Sequence, residues 1–309
     1  MSILSSTKTG KAGIDEMLER FSLDPSMAVM NADGTIDYTG DIVINPLLCW
    51  QNWQIYASVS DCLPQINVLH GSLRITNGVN SLKGMPRVVD GHVSISYCST
   101  LYSLHGCSEK VTGDFKCSHC TNLSSLDGVC KSVGHCIVLN DCALTSLDGL
   151  QSHVHGDLYV HNNQLISLAG APETVDGTFC ANCNQLSSYV GGPKSVGYSL
   201  NLSCNSLTTF EGFPEEVPNA CDVSDNSISC FDHAPKRVGG DWLISFNSFP
   251  DSAYESIETK VGGKVVMTPS SHVSTFREMR KMSKLVVSRT GCAKGGCIIV
   301  PKTAEWIAN

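Results

Sequence analysis

A chain of 309 residues with 42% hydrophobic and 16% charged residues carries enough apolar material to bury a core, which excludes an intrinsically disordered chain. No apolar run is long enough to cross a bilayer, and no basic-then-apolar leader opens the chain, so neither membrane insertion nor secretion is expected. The net charge of −8 is unevenly divided: residues 1–267 carry 14 Lys/Arg against 27 Asp/Glu, and residues 268–309 carry 7 against 2. An acidic body argues against nucleic acid as a partner, because such binding needs basic surface to displace counterions.

In chain order, "GIDEMLERF" (13–21) comes first and predicts a short N-terminal helix. Its Ile14, Met17, Leu18 and Phe21 share one face, with Asp15, Glu16 and Glu19 elsewhere. "LLCWQNWQIYASV" (47–59) is aromatic and irregular, and reads as a distorted rung or cap with an exposed contact patch as the alternative. From residue 69 a pattern recurs every 20–22 residues. Its clearest copy is "GDLYVHNNQLISLAG" (156–170), and the first strand position falls at Leu73, Val93, Phe115, Ile137, Leu158, Phe179, Leu200, Cys221 and Trp242. Self-similarity at such a period predicts a repeat solenoid. In each copy two alternating apolar residues, such as Leu158 and Val160, are expected to point inward from a short strand that stacks in parallel on its neighbours.

Further on in each copy comes Cys98, Cys120 or Cys142, and then Asn163, Asn184, Asn205, Asn226 or Asn247, in two consecutive blocks. A stacked Asn can bond the backbone groups of adjacent turns that would otherwise be orphaned, and Cys can fill the same slot. A V-x-G motif precedes the strands, as in "VDG" (89–91) and "VHG" (154–156), with the Val closing the core and the Gly allowing a sharp turn. So short a period leaves little room for a helix. The C-terminal "SSHVSTFREMRKMSKLVV" (270–287) predicts a second helix with Arg277, Arg280, Lys281 and Lys284 outward.

Residues 158–168, L-x-V-x-x-N-x-L-x-x-L, resemble the core of the leucine-rich repeat over roughly 69–249, and short Pro- and Gly-marked copies of this kind look most like those of bacteria and their phages. The resemblance implies a leucine-rich repeat solenoid with a parallel β-sheet on the concave face, a mostly irregular convex side and small helical caps. Residues 1–37 would form an N-terminal cap, 38–267 the solenoid and 268–309 a C-terminal cap with a basic tail. Such folds bind through the outward residues of the sheet, which points to Arg74, Tyr97, Lys116, His119, Tyr159, Asn201, Asp222, Asp225, Leu243 and Phe246 as a protein-binding face. The partner's identity is not encoded in the scaffold.

Chemistry is weaker. Of the 16 cysteines most sit at fixed repeat positions, where a free thiol acts as a small hydrophobe, so a reducing cytoplasm is expected. Cys180, Cys183 and Cys204 should crowd together, but the aligned columns supply no His as a fourth ligand. "GCAKGGC" (291–297) gives one Cys292/Cys297 pair without a second, with His272 in the same tail. The first group reads as free thiols and the second as a local loop. No phosphate loop, zinc-protease motif or lipase elbow occurs. The expectation is a non-catalytic module with no cofactor and no metal. The alternatives are a structural subunit of a larger assembly, such as a phage particle, held through its termini, and then a cysteine-dependent enzyme.

Overall fold

The computed structural model describes residues 10–20, 22–45, 58–268, 276–291 and 297–299. It is a β-solenoid of stacked parallel strands with about 22 residues per turn, in two compact units. The first takes in the chain up to Leu144 together with Asp148–Gln151. The second holds Thr145–Leu147 and the chain from Ser152 onward.

In the first unit the main ladder runs Ile42–Ile44, Leu73–Thr76, Val93–Ser96, Phe115–Ser118 and Ile137–Val138, each parallel to the next. In the second it runs Leu158–Tyr159, Phe179–Cys180, Leu200–Asn201, Cys221–Asp222, Trp242–Leu243 and Val265–Met267. Every first strand position read from the repeat, from Leu73 to Trp242, opens an observed strand. Leu158, Val160, Leu165 and Leu168 are all fully buried, as the alternation requires.

The V-x-G motif does more than close the core. Its valines, joined by Val217, line a second parallel ladder made of three separate sheets, with Val89 beside Val111, Val154 beside Val175 and Val217 beside Val238. The glycine's role also differs from the expected one. Gly113 and Gly240 do not adopt positive φ. Instead, a Cβ added at Gly113 would lie 2.7 Å from the Gly91 carbonyl oxygen, and one at Gly240 2.7 Å from Asn219 Oδ1. Close approach of consecutive turns, not a turn dihedral, demands glycine there.

The Asn column is a ladder of side-chain bonds. Asn226 Nδ2 donates to the carbonyls of Leu202 (2.9 Å), Val223 (3.1 Å) and Ser224 (3.2 Å), while its Oδ1 accepts from Leu207 N–H (2.9 Å). Asn205 and Asn247, one turn away on either side, and Asn184, two turns away, repeat the arrangement. In the first unit the thiols of Cys98 and Cys120 donate to Ser96 and Ser118 carbonyls at 3.6 and 3.5 Å. The second unit's core also holds a column of aromatics: Phe231 stacks on Phe249 at 4.3 Å and 4°, and on Phe210 at 6.2 Å and 18°, with Trp242 and Tyr254 against them.

A helix is present near each end of the described chain. Helix α1 (Lys11–Arg20) buries Leu18, and helix α2 (Phe276–Thr290) buries Met282, Val286 and Thr290 at four-residue spacing, leaving Lys281 and Lys284 exposed. Between α2 and the C-terminus lies a feature not anticipated from the sequence. Cys297–Ile299 is a strand that pairs in parallel with Val265–Met267, and α2 packs on it. Residues 47–57 of the aromatic segment 47–59, His272 and Cys292 lie outside the described residues, as do the side chains of Arg277 and Arg280.

Replacing Asn226 with Ala leaves the buried Leu207 N–H without its partner and takes one of two donors from the Leu202, Val223 and Ser224 carbonyls, and is expected to cost about 2–3 kcal/mol. Cys120→Ala, which removes two weak sulfur bonds, to the Ser118 carbonyl and from the Cys117 thiol, should cost about 1 kcal/mol. Urea denaturation of the two variants checks the order; equal losses would mean the Asn ladder adds nothing beyond volume.

Candidate binding face

The outward residues of the main ladder form columns in register. In the first unit Arg74, Ser94 and Lys116 are successive neighbours, and in the second Tyr159, Cys180, Asn201, Asp222 and Leu243 are. Arg74 and Lys116 are exposed, while Tyr159, Asn201, Asp222 and Leu243 are half-buried and Cys180 is buried. Asn201 and Asp222 are partly committed to their own chain. Asn201 Oδ1 accepts from Ser203 N–H at 3.0 Å and Asp222 Oδ1 from Ser224 N–H at 2.9 Å, each bracing the end of its strand.

The column after the strand has a backbone property that no spacing argument could show. Asn77, Tyr97, His119, Asp141, Asn162, Cys183, Cys204, Asp225 and Phe246 all adopt φ between 53° and 59°. Here the chain leaves the ladder, and the left-handed residue's N–H still donates to the next turn: Tyr97 to Ser118 O (3.2 Å), Asp225 to Ser245 O (3.0 Å). Asn and Asp tolerate this region, but for bulky residues it is strained, at about 1 kcal/mol or more each. Tyr97 and Phe246 accept that strain while remaining 58% and 39% exposed. Tyr97 also stacks on His119, with centroids 4.8 Å apart and planes 13° apart, so the first unit presents a flat aromatic plate.

Charge near that plate is balanced locally. Asp114 Oδ2 lies 3.1 Å from Lys116 Nζ, and Oδ1 lies 2.8 Å from His135 Nδ1 and accepts the Cys136 N–H at 3.2 Å. Burial by itself would raise this carboxyl; His135, Lys116 and the Cys136 N–H outweigh burial and hold it at about 2.

Cys180, Cys183 and Cys204 do come together, and His161 Nδ1 stands 4.0 Å from Cys180 Sγ, a histidine the column alignment had not supplied. Burial pushes the Cys180 thiol up to about 11 and raises that of Cys204, so both are neutral near pH 7. This is the opposite of an activated nucleophile. The described cysteines are all free. Two clusters of metal-capable side chains that sequence spacing had not revealed are Asp114/His135/Cys136 in the first unit and His153/His155/Asp176 in the second. Comparison with protein-family models, curated proteins and solved structures finds no match.

Two outcomes are expected. Because the Asp114 carboxyl is lowered in the fold, its contribution is present above pH 4 and is lost as pH falls toward 2. Asp114→Asn should therefore flatten the acid limb of a stability–pH curve between those values; an unchanged limb would mean the Asp114 contacts carry no net energy. At exposed Cys204, where left-handed backbone is required, Asn should be tolerated or stabilising, and Val should cost about 1–2 kcal/mol. Equal denaturation midpoints for the two would show that the turn relaxes.

Proposed function

We propose that this solenoid is of the leucine-rich repeat type and acts as a non-catalytic protein-binding module. The binding face would be the outward side of the main ladder, concave in such repeats, with α1 and α2 closing the ends of the stack. The observation that carries this reading is the pair of exposed aromatics, Tyr97 and Phe246, kept in left-handed backbone where Asn or Gly would be less strained. Stability does not favour those residues there, whereas exposed Tyr and Phe are the side chains that anchor interfaces. A ladder braced by in-register bonds presents them with little ordering cost on association.

Arg74 and Lys116 suit an acidic patch on a partner of the first unit, and Asp222 and Asp225 a basic one on a partner of the second. Free thiols at repeat positions support a reducing, cytoplasmic setting. No described helix is long and apolar enough to cross a membrane.

The second reading, a structural subunit held through its ends, is favoured by the strand Ala28–Met30. It pairs only with Ile36–Thr39 among the described residues and exposes Val29 by 65%, with Met27 and Met30 beside it. Removing residues 268–309 would not separate the readings, because it strips the Cys297–Ile299 strand and α2 from the second unit.

A sharper test uses Tyr97→Asn and Phe246→Asn, which suit the backbone and remove the anchors. With a partner isolated by the wild type, each is expected to weaken binding by about 10-fold or more. Lys281→Glu/Lys284→Glu should leave binding intact. A partner held equally by the Asn variants and lost by the α2 variant would overturn the face assignment in favour of end-on assembly.

A further inference from the structure

The second ladder carries a cluster unrelated to the proposed binding face. His153–Val154 is a two-residue strand whose neighbour is Thr174–Val175, with Val154 and Val175 buried. Residues flanking a buried strand position share the outer side, so His153 and His155 project together. Asp176 follows Val175 as His155 follows Val154, so the register sets it one turn from His155 in the same column. Two positions along one strand and one on the next turn thus form a compact triangle. His153 Nε2 lies 2.8 Å from Asp176 Oδ1, His155 Nδ1 lies 3.6 Å from Asp176 Oδ2, and the imidazole centroids are 4.2 Å apart. One donor atom from each residue falls within 4.8 Å of the others.

We propose that His153, His155 and Asp176 bind a borderline divalent transition metal of the zinc, nickel or copper class. Two imidazoles and a carboxylate match that class, whereas calcium and magnesium prefer all-oxygen ligands. Tetrahedral coordination at bond lengths of about 2.0–2.1 Å needs donors about 3.3 Å apart, which the observed spacings bracket. All three side chains are exposed, so small rotations complete the set without moving the backbone. Three protein ligands leave the remaining positions to water or to a donor from another molecule.

The first unit supplies an internal comparison. His70 Nδ1 lies 3.6 Å from Asp90 Oδ2 in the same relation as His155 to Asp176, but Val68 stands where the third donor would be. That pair is an ordinary surface contact. The Asp114/His135/Cys136 cluster is the poorer metal site, because Lys116 Nζ already occupies its carboxylate at 3.1 Å. A cation there would have to displace a cation.

The test is a Co²⁺ titration of the full chain, followed by calorimetry and visible absorption. One equivalent is expected to bind with a dissociation constant on the order of micromolar to tens of micromolar, with a ligand-field spectrum lacking thiolate charge transfer. His155→Ala and Asp176→Asn should each weaken it by about 10-fold or more, and His135→Ala should not. The three altered residues of the site are exposed, so circular dichroism should be unchanged in every variant. Retention of the site in His153→Ala/His155→Ala, a thiolate band on the tight equivalent, or no saturation below about 1 mM would each overturn the assignment.

Discussion

The structure depends on one constraint: successive turns must stack in register while every inward backbone group finds a partner. A turn of about 22 residues leaves the ladder after a short strand, and the groups it exposes face the interior rather than water. The Asn column meets that demand by having each amide bond its own turn and the turn before it. Register then follows from chemistry as well as from shape. Displacing one turn by a residue would break side-chain bonds and send the apolar set outward together.

In-register stacking also penalises some repeats, although Arg237 and Lys260 do face one another in register. Identical charges in one column would lie a strand spacing apart, and the second ladder's flank avoids this by alternation. Arg87, Glu109 and Lys131 follow one another in the first unit, with Glu109 bridging both neighbours. Glu173 pairs with Lys194 and Glu215 with Lys236 in the second. Each pair is exposed and adds little stability, but a register slip would set like charges opposite one another. Where consecutive turns press closest, as at Gly113, glycine is required because backbone of the preceding turn, which cannot give way, lies within 3 Å of where a Cβ would be.

Much of this was legible in the sequence because a repeat reports its own alignment. The strand starts, the inward leucines and the Asn slot could be read by laying one copy over another. What escaped was whatever a single copy does not encode. The left-handed φ shared by Asn77 through Phe246 is hidden because Tyr97, Cys204 and Phe246 mask the Asn/Asp preference of that column. The strand Cys297–Ile299 lies outside the period and pairs only because α2 returns the chain to the sheet, although its β-branched isoleucines were a signal. His153, His155 and Asp176 were missed for another reason. In sequence the V-x-G motif signals core closure and a turn, and only its pairing as a second ladder gives its outward residues neighbours.

The two ladders divide the demands on the chain. Inward positions are held by packing and by the Asn or Cys slot, so their variation is limited to exchanges such as the aromatic column of the second unit. Outward positions are constrained only by their neighbours one turn away. A residue there that opposes local preference stands out against a scaffold that would accept something less strained. Tyr97 and Phe246 oppose the backbone, and two histidines beside an aspartate gather donors where the equivalent positions elsewhere hold Val68 or Thr112. Departures from the repeat, judged against the stacking that surrounds them, are where function is to be sought in a fold whose regular positions are already explained by stability.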